Sequence, residues 1–133
     1  MKIFLRILTE IWQFPQHIIA YVIILINCKS IKLMVSKDGI SHYLVDHLFD
    51  SAISLGNYIF LDSDRSVSKK AVKHEYGHQL QSKRLGWLYL IIIGIPSVIG
   101  NIIYRKTKFK PYGDYYKQPW EKWADELGNV NRY

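Results

Sequence analysis

The sequence predicts one domain of the α+β class, in which a short antiparallel or mixed sheet packs on a central helix and additional apolar helices complete the fold. Three observations support this prediction. The 133 residues (1–133) suit a single domain, and an apolar fraction of 49% is enough to form a core. Strand-like segments between residues 40 and 61 are followed by a long helical segment. Two apolar segments, at 11–28 and 87–103, supply the further helices.

The N-terminal segment, residues 1–30, is predicted to be apolar and helical. Apolar residues recur at helical spacing over 3–14, and Pro15 then breaks or bends the chain before a second helix over 16–28. This segment is expected to be a membrane anchor, a lid or part of the core.

The sheet is predicted from three segments. Residues 30–36 are expected to form a short strand, and Asp38-Gly39 is a turn signal. Residues 40–49 and 53–61 carry the β-branched and aromatic side chains typical of strands. Gly56 lies inside the last segment and indicates a bulge or a close backbone approach.

A long helix is predicted to follow the sheet. Ser66 or Ser68 can cap its N-terminus, and the helix is expected to run to about Leu85. Gly86 is placed to end it as a left-handed C-cap.

The charge balance narrows the choice of partners. The chain has 18 basic and 11 acidic residues, a net charge of +7. Basic residues adjoin the apolar segments, which favours a membrane surface over nucleic acid, and no nucleic-acid partner is expected. A solvated basic face explains the charge equally well. The basic residues concerned are Lys29, Lys32, Lys83, Arg84, Arg105, Lys106, Lys108 and Lys110.

The long predicted helix contains the most specific motif of the chain, His74-Glu75-Tyr76-Gly77-His78, which is H-E-x-x-H. Residues four apart on a helix point to one side, so both imidazoles can reach one metal ion. Glu75 is placed to take a proton from water as a general base. Two ordinary helix histidines are the plain alternative.

A third ligand is predicted in the last short helix, which is expected to begin at Pro119 and to end at Gly128. Glu121 and Asp125 lie four apart on one side of it. One carboxylate can bind the metal, while the other accepts the N–H of a ligand histidine. Cys28 is the single cysteine, so a cysteine-rich site is excluded.

The two motifs in combination resemble the gluzincin group of metallopeptidases in its smallest form, the minigluzincins. The phrases HEYGHQLQS and WEKWAD are also similar to small bacterial proteins of this type, and the similarity covers about Ser54 to Val130. The resemblance implies a small zincin-like fold with the sheet packed on the H-E-x-x-H helix.

The resemblance also implies a role for each matching residue. His74, His78 and Glu121 would bind Zn²⁺, Glu75 would be the catalytic base, and Asp125 would orient a ligand histidine. The protein would then be a zinc metallopeptidase acting on a peptide or protein substrate.

Two further implications concern the surroundings of this site. The strand at 57–61 would be an edge strand lining a cleft, where Asn57, Tyr58 and Ile59 pair with an extended peptide. Larger relatives often have Asn before the third ligand, but Trp120 stands there, so the partner of the second histidine is not identified.

Other polar and aromatic residues near the motifs carry weaker signals. Tyr112, Tyr115 and Tyr116 are candidates for donating to an oxyanion, although a buried or surface aromatic role suits each of them better. The three remaining histidines have no ligand spacing and are not expected to bind metal: His17, His42 and His47.

The segment 87–103 approaches the length of a membrane span. A single crossing would put His78 and Glu121 on opposite sides of the membrane and prevent the metal site from forming. The segment is therefore expected to be a buried core helix, or a hairpin that turns near Gly94 and Pro96. Cytoplasmic and membrane-associated locations both remain open.

Two alternatives to an active peptidase remain at this point. One is a non-catalytic binding or structural module, attached to a membrane, whose metal is absent or structural. The other is an effector or toxin domain that uses the same zinc chemistry.

Overall fold

The computed structural model describes residues 1–37, 40–45, 52–62 and 68–132 and confirms the α+β class. Within these residues lie five α-helices and a four-stranded sheet: α1 (Lys2–Trp12), α2 (Phe14–Ile26), β1 (Lys32–Lys37), β2 (Ile40–Val45), β3 (Ile53–Leu55), β4 (Tyr58–Asp62), α3 (Lys69–Leu85), α4 (Ile95–Lys106) and α5 (Pro119–Leu127). A 3₁₀ turn at Gly86–Leu88 and a π-helical turn at Leu90–Gly94 connect α3 to α4, and a 3₁₀ turn at Tyr115–Lys117 precedes α5.

The sheet is mixed, with the strand order β1-β2-β4-β3. The β1/β2 and β3/β4 pairs are antiparallel, whereas β2 and β4 are parallel. The strand β4 is therefore paired on both sides, and β1 and β3 form the edges. The expectation that the strand at 57–61 is an edge strand is wrong.

The predicted strand over 53–61 is in fact a tight hairpin. Gly56 and Asn57 form the turn between β3 and β4, and Gly56 has φ = +57°. A glycine with positive φ at the first turn position suits a two-residue hairpin. The predicted close backbone approach is also present, because a Cβ at Gly56 would lie 2.1 Å from the His17 ring.

The two faces of the sheet are covered by different helices. Phe60 and Leu55 pack with Ala20 of α2, whereas Ile59 and Leu61 pack on the side of α3. Gln79 of α3 donates to the Ser54 hydroxyl at 2.6 Å and to the Tyr58 carbonyl at 3.1 Å. These bonds attach the motif helix to the sheet.

The helix α3 begins as predicted from its cap. The side chain of Ser68 accepts a hydrogen bond from the Ala71 N–H at 3.1 Å, so Ser68 caps the helix. Gly86 ends α3 with φ = +52°, but its ψ of −124° lies outside the left-handed helical region. Because a Cβ here would lie 2.2 Å from Trp12, Gly86 also allows α1 to approach closely.

The N-terminal helices dock on the rest of the chain through polar side chains. The break between them is at Gln13, and Pro15 lies in the first turn of α2. Gln13 donates to Ser82 of α3 at 2.5 Å, and Gln16 donates to the Gly86 carbonyl at 2.8 Å. Both glutamines are fully buried.

The segment 87–103 differs from both expected forms. Its outer side is exposed although Tyr89 and Ile93 are buried, and it is not folded back at Gly94 and Pro96, since helical structure continues through these residues. The change of direction comes earlier: Lys69–Leu88 and Leu90–Lys106 are bent by 119°. Within the described ranges, no single helix is both long and apolar enough to cross a membrane, although this bent pair passes the same test jointly.

Candidate metal centre

The two histidines of the motif lie side by side on α3. His74 and His78 are one helical turn apart, and their ring centroids are 4.7 Å apart. Each is only 5% exposed. The spacing of the motif thus places two imidazoles in one buried position, as predicted.

The helix α5 reaches these histidines because α3 carries a glycine at the crossing. A Cβ at Gly77 would lie 1.8 Å from the carbonyl oxygen of Ala124, and a Cβ at Gly128 would lie 2.0 Å from that of Lys73. The two backbones are therefore almost in contact. Glu121 and Asp125 of α5 consequently face the motif, and both are buried.

One carboxylate oxygen of Glu121 lies between the two imidazoles. Glu121 Oε2 is 3.1 Å from His74 Nε2 and 3.2 Å from His78 Nε2. One potential ligand atom from each of the three residues lies within 4.8 Å of the others. Ligands about 2.1 Å from a tetrahedral metal are about 3.4 Å apart. The three side chains could therefore hold a metal ion with little movement.

Asp125 fixes the orientation of His74. Its Oδ1 lies 2.7 Å from His74 Nδ1, and its Oδ2 accepts a hydrogen bond from Arg132 Nε at 2.6 Å. Because a carboxylate only accepts, Nδ1 of His74 carries a proton. The other nitrogen, Nε2, then faces Glu121 and is the one available to a metal.

Gln81 fixes the orientation of His78, as Asp125 does for His74. The Gln81 side chain donates to the Trp120 carbonyl at 2.8 Å, which leaves its oxygen to face His78 Nδ1 at 2.7 Å. His78 therefore also holds its proton on Nδ1 and presents Nε2. Gln81 is the partner that the sequence left unidentified, and residue 120 contributes through its backbone.

Two hydroxyl groups hold the second oxygen of Glu121. Ser97 of α4 donates to Glu121 Oε1 at 2.5 Å, and the hydroxyl of Tyr115 donates to the same atom at 2.9 Å. No sequence pattern indicated a role for Ser97. Tyr115, a candidate oxyanion donor, instead positions the proposed third ligand.

Without a metal, hydrogen bonds among His74, His78 and Glu121 shift the pKa of all three side chains. Burial lowers the pKa of His74, but its hydrogen bonds with Asp125 and Glu121 outweigh burial and raise the pKa to about 9. The pKa of His78 is raised in the same sense, because contact with Glu121 outweighs burial. Burial acts to raise the pKa of Glu121, but the two histidines hold it well below its usual range. The group therefore favours positive charge beside Glu121, which a metal cation also supplies.

Glu75 differs from the other carboxylates of the site. It is 6% exposed, and burial raises its pKa against the opposing effect of His78 and His74. In the part of the chain that the structure describes, its carboxylate accepts no hydrogen bond. A buried carboxylate with a raised pKa next to the two imidazoles is a stronger base than an exposed one and is suited to accepting a proton.

The remaining aromatic and histidine candidates differ in their distance from the metal centre. The Tyr116 ring contacts His74 edge-on at 5.2 Å, whereas Tyr112 is exposed and packs on Trp120. His17 pairs with Glu10 at 2.8 Å.

The predicted substrate-binding residues have structural partners. Asn57 donates to Glu10 at 3.1 Å, and its N–H donates to Nε2 of His17. The Tyr58 hydroxyl contacts that of Tyr21, and Ile59 is fully buried.

The last two histidines can be placed only in part. His42 lies on β2, and burial lowers its pKa. His47 lies outside the described residues.

Comparison of the chain with protein families, curated proteins and solved structures found no match in any of the three. The functional conclusion therefore rests on the residues of the site.

Proposed function

We propose that this protein is a zinc-dependent metallohydrolase of the peptidase type, with a zincin-like active site. The observation that carries the proposal is the position of Glu121 Oε2, 3.1 Å from His74 Nε2 and 3.2 Å from His78 Nε2. Two imidazoles and one carboxylate are a ligand set of catalytic zinc sites, which keep one further position open.

The supporting contacts favour zinc over a chance cluster. Each histidine donates its Nδ1 proton to a fixed acceptor, Asp125 or Gln81, and Glu121 is oriented by Ser97 and Tyr115. Such contacts commonly orient metal-binding histidines and carboxylates. A plain buried ion pair would not require both Nε2 atoms to converge on one oxygen.

In the proposed mechanism, bound zinc would act as a Lewis acid toward water and the scissile carbonyl. Glu75 would accept a proton from the attacking water and pass it to the leaving amine. The raised pKa of Glu75 favours the first transfer, because burial makes the carboxylate a stronger base that holds the proton until the amine leaves. Asp125 and Gln81 would hold the Nδ1 proton of each imidazole in place and so keep each Nε2 directed at the metal.

A second candidate is a purely structural metal site between α3 and α5. It is favoured by the burial of the three ligand residues, of which Glu121 is 0% exposed. Structural zinc sites are normally closed by four protein ligands, whereas the cluster of described residues offers three. This difference in the number of ligands favours a catalytic zinc site over a structural one.

The substitution Glu75→Gln separates the two candidates. We expect the variant to bind zinc like the wild type but to lose hydrolysis of a fluorogenic peptide library. Glu126→Gln makes the same change at an exposed position of α5 and should keep both properties. Zinc binding without hydrolysis in the wild type would support the structural site, and unchanged hydrolysis in Glu75→Gln would contradict the proposed base.

A further inference from the structure

The helix α1 is turned with its apolar side outward. Its polar side contacts the protein: Gln13, just after the helix, is fully buried, and Glu10 bonds to His17 and Asn57. The opposite side is 46–77% exposed and consists of large aliphatic and aromatic residues: Ile3, Phe4, Leu5, Ile7, Leu8 and Ile11. An amphipathic helix on a water-facing surface has the reverse arrangement.

The same inversion recurs in α2. Its buried residues are Gln16, His17 and Ala20. Its exposed residues include large apolar side chains that are 40–76% exposed: Phe14, Ile18, Ile19, Val22, Leu25 and Ile26.

A third segment, from Trp87 to Ile102, buries Tyr89 and Ile93 in the core but also has an exposed apolar side. Inside it, Gly100 approaches Gln118, while Ser97 bonds to Glu121. Outside it, six of the apolar side chains are 45–64% exposed: Trp87, Leu88, Ile91, Ile92, Val98 and Ile102.

Two of these segments are joined into one surface. A shallow cavity of about 520 Å³ lies between Trp87 and α1, with Leu5 and Leu8 in its lining. Trp87 donates to the Ile11 carbonyl at 2.9 Å, and Trp12 donates to the Lys83 carbonyl at 3.0 Å. The helix α2 follows α1 directly and contacts the turn at Gly86–Leu88. We call the exposed apolar side of α1, α2 and residues 87–102 the apolar surface. Isolated exposed apolar residues are ordinary on a protein, but a continuous surface of this kind marks an interaction site.

The basic and acidic residues are distributed unevenly between the segments that contain the apolar surface and the rest of the chain. Residues 1–37 and 76–113, which contain the apolar surface, hold eleven of the 18 basic residues but only one of the 11 acidic residues, Glu10. The rest of the chain holds seven basic and ten acidic residues. The segments that contain and flank the apolar surface therefore carry an excess of positive charge, which complements anionic lipid headgroups.

We propose that the apolar surface inserts into the boundary between headgroups and acyl chains of an anionic lipid bilayer, without crossing it. The helices α1 and α2 have 11 and 13 residues. At 1.5 Å per residue they would extend about 16 and about 20 Å, less than the roughly 30 Å hydrocarbon core. Short helices with one apolar side and adjacent basic residues lie in the membrane plane. A second copy of the chain fits this surface less well, because it would bring the same positively charged segments of two chains together.

The test is flotation of the full-length chain with vesicles, and it does not depend on metal binding or hydrolysis. We expect binding to vesicles that contain phosphatidylglycerol, weaker binding to phosphatidylcholine alone, and a decrease with added salt. Ile91→Glu should reduce binding at least about tenfold, because it places a charge on the inserted surface. Tyr76→Glu is the matched control, since Tyr76 is 42% exposed on α3 outside the apolar surface.

Circular dichroism of each variant checks that it folds, and light scattering checks its oligomeric state. The proposal is overturned if the wild type does not float with either vesicle, or if both variants lose binding equally. It is also overturned if Ile91→Glu converts an oligomer to a monomer while vesicle binding is absent, since a second copy would then cover the surface.

Discussion

The side-chain oxygen of Gln81 lies 2.7 Å from Nδ1 of His78, three residues earlier on the same helix. The amide group of Gln81 is committed to the Trp120 carbonyl, so its oxygen is fixed toward the imidazole. This contact sets the proton of His78 on Nδ1 and turns Nε2 toward Glu121. It makes Gln81 as much a part of the proposed zinc site as Asp125.

Replacing Gln81 should weaken metal binding. We expect Gln81→Leu to lower zinc affinity about 10- to 100-fold, because His78 loses the acceptor that orients it. The affinity is measured by competition with a chelating indicator. Gln79→Leu is the control: Gln79 is also buried on α3 but bonds to the sheet, so its loss should lower stability and leave zinc affinity unchanged. Equal affinity losses in the two variants would show that Gln81 has no specific role.

The hydroxyl groups of Ser97 and Tyr115 should strengthen zinc binding, because they position Glu121, the proposed third ligand. Ser97→Ala and Tyr115→Phe each remove one hydrogen bond to Glu121 Oε1 and should each weaken zinc binding about tenfold. The double variant should lose more than either single variant. Tyr112→Phe removes a hydroxyl from an exposed tyrosine and should have no effect. Wild-type affinity in the double variant would contradict the positioning of Glu121 by these groups.

Zinc binding should depend on pH in a definite direction. In the metal-free protein the pKa of His74 is raised to about 9, so a proton must leave before the metal binds. Affinity should therefore rise with pH and level off above about 9, changing about tenfold per pH unit for each proton released. Calorimetry in buffers of different ionisation enthalpy counts those protons. Binding that releases no proton at neutral pH would contradict this account.

The same pKa shift affects the stability of the metal-free protein. A raised histidine pKa stabilises the folded state fully below the unfolded value of 6.5, and this contribution disappears as pH rises through about 9. Zinc replaces the lost positive charge. The increase in melting temperature on adding zinc should therefore be larger at alkaline than at neutral pH. An increase that shrinks at alkaline pH, with zinc still soluble, would oppose this prediction.

The crossing of α3 and α5 should not tolerate a methyl group. Gly77→Ala places a Cβ against the Ala124 carbonyl and should cost about 3 kcal/mol of unfolding free energy together with the metal site. Gly94→Ala is the control, since the nearest atom to a Cβ there is Leu90 Cδ2 at 3.5 Å. Chemical denaturation of both variants measures the difference. Similar stability for the two would show that the helices can separate without loss.

The spacing of residues along the sequence predicted those parts of the fold and of the site that lie within a single helix. The H-E-x-x-H helix, its Ser68 cap and the paired carboxylates of α5 follow from helical periodicity and capping chemistry. Gln81 also lay within reach of such reasoning, because position i+3 from His78 is on the same side of α3.

Tertiary contacts account for what the sequence did not reveal. Ser97 reaches Glu121 only because the chain bends by 119° between α3 and the following helical segment. Because the chain turns at this bend, the segment at 87–103 does not turn at Gly94. The strand β4 became central through its parallel pairing with β2, and strand propensity carries no information on such pairing.

Zinc titration into the metal-free, full-length protein tests the central claim most directly. The account predicts one zinc per chain in the wild type and in Glu126→Gln, and loss of that zinc in Glu121→Gln while the helical circular dichroism signal persists. Failure of the wild type to bind zinc, or equal binding by Glu121→Gln, would contradict it.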